Sequence, residues 1–77
     1  MKMKFHSSSM ESVLILEINE SAFALYMATE EGNVAIVMPG KNHPEIYSSL
    51  DEARAKVDEI TSVVQIDSET YAKATID

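Results

Sequence analysis

Three features of the sequence predict an α+β domain: an antiparallel β-meander of four or five strands with one helix packed on one face. Short apolar runs with β-branched or alternating character are separated by turn residues. A single segment, beginning at Leu50, repeats apolar residues at helical spacing. The chain is 77 residues long, which suits one small core and one domain, residues 1–77. The expected order is β-β-β-(β)-α-β.

Residues 1–12 are polar and serine-rich, and read as a flexible arm or as an edge strand around Met3 to His6. Residues 13–18, Val-Leu-Ile-Leu-Glu-Ile, are a strand by length and β-branched content. Asn19, Glu20 and Ser21 make a turn. Residues 22–28 then place Phe23, Leu25 and Met27 at every second position, a strand pattern despite four alanines that prefer helix. Residues 29–33, Thr-Glu-Glu-Gly-Asn, form the strongest turn signal, with Gly32 able to take a left-handed backbone. Residues 34–38 are the third strand. Residues 39–44 are a loop with a proline at each end. Ile46 and Tyr47 are a short extended piece.

The helix is expected from Leu50 to about Thr61. Ser49 is a natural N-cap, and Glu52 three residues later completes a capping box. Leu50, Ala53, Val57 and Ile60 fall within a stripe about 80° wide at the helical period. Glu52 and Lys56 are an i, i+4 pair in the favourable orientation. Residues 62–67 are a last strand, returning to the sheet beside an earlier one. Residues 68–77 end the chain as a short helix capped by Ser68, or as a frayed tail.

Composition excludes more than it identifies. Thirteen acidic against six basic residues give a net charge of −7, which disfavours nucleic acid and anionic membranes as partners. There is no cysteine, hence no disulfide, no thiolate zinc site and no cysteine nucleophile. The longest apolar run, residues 22–28, is far short of the roughly twenty residues of a transmembrane helix. The basic start of the chain meets Ser7, Ser8 and Ser9 instead of an apolar stretch, so no signal peptide is expected and the setting is read as cytoplasmic. Asn19, Glu20 and Ser21 match a glycosylation sequon, which has no meaning without secretion.

The segment Tyr47-Ser48-Ser49-Leu50-Asp51-Glu52-Ala53-Arg54, followed by Val63-Val64-Gln65-Ile66-Asp67-Ser68-Glu69-Thr70-Tyr71, resembles a small uncharacterised family of proteobacterial proteins, a domain of unknown function. In that family a strand hairpin precedes an aromatic-Ser-Leu-x-x-Ala-Arg helix start, and a Val-Gln strand and a tyrosine tail follow. The resemblance covers most of residues 11–72. It implies an α+β fold and a bacterial cytoplasmic setting, and it implies no activity.

Catalytic chemistry finds little purchase. His6 and His43 are far apart in sequence, and no Gly-x-Ser-x-Gly nucleophile elbow occurs. His43 with Glu45 supplies two metal ligands where zinc needs three or four. The carboxylate pairs Glu30/Glu31, Asp51/Glu52, Asp58/Glu59 and Asp67/Glu69 read as a turn tip, helix N-terminal charge, a solvated helix face and a strand-end cap rather than acid–base pairs. No enzyme, cofactor or metal is therefore expected. The helix face of Asp51, Glu52, Asp58 and Glu59 is a candidate acidic docking surface, or simply a solvated face.

The strands are apolar on both sides. Leu14, Leu16, Ile18, Phe23, Leu25 and Met27 are expected on one face; Val13, Ile15, Tyr26 and Val37 are candidates for the other, with the register of residues 34–38 open by one position. One helix covers one face, so the second is either an interface or is covered by the arm and tail through Phe5 and Tyr71. The expected function is a non-enzymatic protein-interaction or self-associating module, its partner a protein or a second copy. The alternative is a small-ligand or metabolite-binding regulatory domain using loop 39–44.

Overall fold

The computed structural model of the chain describes residues 3–65 and 71–77. Six strands, β1 (Lys4–His6), β2 (Val13–Asn19), β3 (Ala22–Thr29), β4 (Gly32–Val37), β5 (Ile60–Gln65) and β6 (Tyr71–Ile76), form one sheet in the order β1-β2-β3-β4-β6-β5. The helix α1 (Leu50–Glu59) joins β4 to β5. The fold is thus α+β with a strand-rich mixed sheet.

The first four strands form an antiparallel meander: the three expected strands, preceded by β1, the edge-strand alternative for residues 1–12. Two tight turns set its register. Asn19 Oδ1 accepts from the Ser21 amide at 2.9 Å, holding the β2–β3 turn. Thr29 pairs with Gly32, so only Glu30 and Glu31 form the next loop, and Gly32 carries a φ of 126° that favours glycine. That pairing fixes what the sequence leaves open: Tyr26 lies opposite Ala35.

The second half departs from a meander. Residues 71–76 form neither helix nor frayed tail but β6, which enters the sheet between β4 and β5 and runs parallel to β4. The last expected strand, β5, therefore occupies an edge and, among the described residues, pairs with β6 and not with an earlier strand. The cause is burial. The alternation Ala72, Lys73, Ala74, Thr75 puts two small residues on the core face, where Ala72 and Ala74 are fully enclosed beneath the helix layer. The expected caps and carboxylates at Asp67, Ser68 and Glu69 lie outside the described residues.

The helix begins as expected. Ser49 Oγ accepts from the Glu52 amide at 3.1 Å. The Glu52 carboxylate accepts from the Ser48 hydroxyl, a neighbour's version of the capping box. Lys56 pairs with Glu59 at 3.6 Å rather than with Glu52. The helix stops at Glu59, two residues early, because Ile60 already adopts an extended backbone as the first residue of β5. Ala53 and Val57 press onto β2 and β3, and the core cluster also holds Val13, Ile15, Phe23, Leu25, Val34, Ile36 and Met38. The short piece before the helix is pinned by a bridge in which Tyr47 and Phe23 exchange both backbone hydrogen bonds, at 2.7 and 2.8 Å.

Candidate interaction surface

In an antiparallel pair, residues directly opposite share a face. The β2–β3 register sets Val13 against Met27 and Ile15 against Leu25, and sets Leu14 against Tyr26 and Leu16 against Ala24. Odd-numbered residues therefore meet odd-numbered ones. Val13 and Ile15 join Phe23, Leu25 and Met27 under the helix, and both are 0 % exposed. This corrects the expected grouping. Of the candidate interface residues, Val13 and Ile15 are core, while Tyr26 and Val37 lie on the opposite side with Leu14, Leu16 and Ile18. Strand alternation assigned each strand's two sets correctly; matching sets between strands needed the turn geometry.

Among the described residues no helix or strand packs on that opposite side, called the open face below, and α1 packs on the other. Two rows cross it. One runs Leu14, Tyr26, Ala35, Tyr71, strand by strand. The other begins Phe5, Leu16, Ala24, and resumes with Val37, Lys73, Val64 on the far strands. Leu16, Ala24, Ala35 and Val37 form a buried floor. Phe5, Ile18 and Val64 stand out at 38 %, 39 % and 56 % exposure, and Tyr26 and Tyr71 are half-buried. The Phe5 ring meets the Tyr26 ring edge-on, with centroids 5.9 Å apart and planes at 82°. Ala35 separates Tyr26 from Tyr71, so the two tyrosines flank a gap two strand spacings wide, about 10 Å between their backbones.

Phe5 and Tyr71 thus belong to the open face as residues of β1 and β6. They do not fold over it as an arm and a tail would. Lys73 is the one charged residue in these rows, in a chain whose net charge is −7. Among the described residues, Glu30 and Glu31 lie at a turn, and Asp51, Glu52, Asp58 and Glu59 are exposed on the helix. Three of the helix carboxylates have local partners, Glu52 with Ser48, Asp58 with the Ser9 hydroxyl and Glu59 with Lys56. All four carboxylates of the expected acidic docking face remain exposed to solvent.

The histidines are apart and occupied. His6 is held in β1 rather than in a loose arm, its Nε2 2.7 Å from a Glu17 carboxylate oxygen and its ring beside Phe23. His43 is exposed in the loop with Nδ1 3.3 Å from the Pro44 carbonyl. Among the described residues no group of three or more His, Asp or Glu side chains is arranged to hold a metal ion. No helix among them is long and apolar enough to cross a membrane. Loop 39–44 turns at Gly40, whose φ is 82°, with a Lys41 amide donating to the Met38 carbonyl; most of its side chains are exposed, and only Pro44 is half-buried.

Tyr47 is the strongly perturbed group. Burial, first, and then the charge and hydrogen bond of Glu45 and the charge of Glu59, push its phenol far above the ordinary value of 10.0. It remains neutral at any physiological pH and packs in the core. No family model, curated protein or solved structure matches the chain.

Proposed function

We propose that this chain is a non-enzymatic module that works by binding protein, and that its occupant is a second copy docked open face to open face. The observation that carries this reading is the open face itself: an aromatic and aliphatic surface on a sheet whose other side alone has a helix. Exposed apolar patches of this kind usually mark interfaces. Charge favours a second copy over an acidic or basic partner. Among the described residues, carboxylates cluster on the β3–β4 turn and on the helix, so two copies meeting through this face keep those charges at the outside of the pair. An isologous contact would set Tyr26 and Tyr71 of each copy near the apolar rim of the other. Burying apolar area is worth about 25 cal/mol per Å² before the cost of association. The resemblance to a bacterial family of unknown function adds no activity to this reading.

Light scattering at tens of micromolar protein tests it. The wild-type chain should exceed the 8.5 kDa monomer mass, and Tyr26→Glu and Phe5→Glu should each return it to monomer while keeping the far-ultraviolet circular dichroism of the sheet. A wild-type chain that stays monomeric across that range overturns the reading.

A further inference from the structure

We draw no further inference here: the strongest candidate, the outer edge of β5 at the end of the sheet, is a strand edge for which nothing among the described residues shows what pairs with it.

Discussion

Val57 shows how sharply burial separates residues on one helix. Its side chain is 1 % exposed against β2 and β3, whereas Glu59 points outward to Lys56. Val57→Ala should lower stability by about 1–3 kcal/mol through lost contacts and a cavity. Glu59→Ala, at an exposed ion pair, should change it by less than about 0.5 kcal/mol. Chemical denaturation of the two variants checks the contrast. Tyr47 makes a different prediction. Its folded-state affinity for the proton is raised, so the unfolded chain ionises first. Stability from this group is constant while both states stay neutral, and falls once pH passes the ordinary value of 10.0, where the unfolded state binds fewer protons. Tyr47→Phe should remove that part of the alkaline loss; denaturation midpoints at pH 8 and pH 11 for both chains measure it, and equal pH slopes would contradict it.

At the scale of elements, the helix was the most legible part of the chain because its signals are local. Ser49, Glu52 and the stripe of Ala53, Val57 and Ile60 sit within one stretch, and Ser49→Ala should cost about 1 kcal/mol of stability in the same denaturation assay. The hairpin strands were legible for the same reason, through β-branched runs and turn residues. β6 was not. Alanine and lysine are poor strand formers, and Tyr-Ala-Lys-Ala-Thr-Ile alternates on a scale easily taken for a helical turn. What makes it a strand is tertiary: small side chains at 72 and 74 fit between the neighbouring strands and the core, a constraint visible only once β4 and β5 are in place. The candidate surface was half legible. Alternation puts Tyr26 and Val37 on it, but it does not say which side Val13 and Ile15 share with β3, because cross-strand register is a property of the turn, not of either strand.

Among the described residues, the carboxylates exposed on the helix and the apolar rows of the sheet lie on opposite sides. One consequence is a salt response opposite to that of an ion-paired complex. Each copy carries −7, and long-range repulsion between copies is screened over about 10 Å at 0.1 M salt. Self-association should therefore strengthen as sodium chloride rises from about 0.02 to 0.3 M, a range over which the screening length shrinks several-fold. Sedimentation or light scattering at fixed protein concentration reads this directly, and weaker association at higher salt would point to an interface built on opposite charges instead. The parallel pairing of β4 with β6 has a consequence in time rather than in energy. β4 is complete by Val37, yet the strand that covers its edge begins at Tyr71. During synthesis the meander must wait with that edge open while more than thirty further residues are made. The nascent chain is thus exposed to wrong pairing along Val34, Ala35, Ile36 and Val37 until β6 arrives.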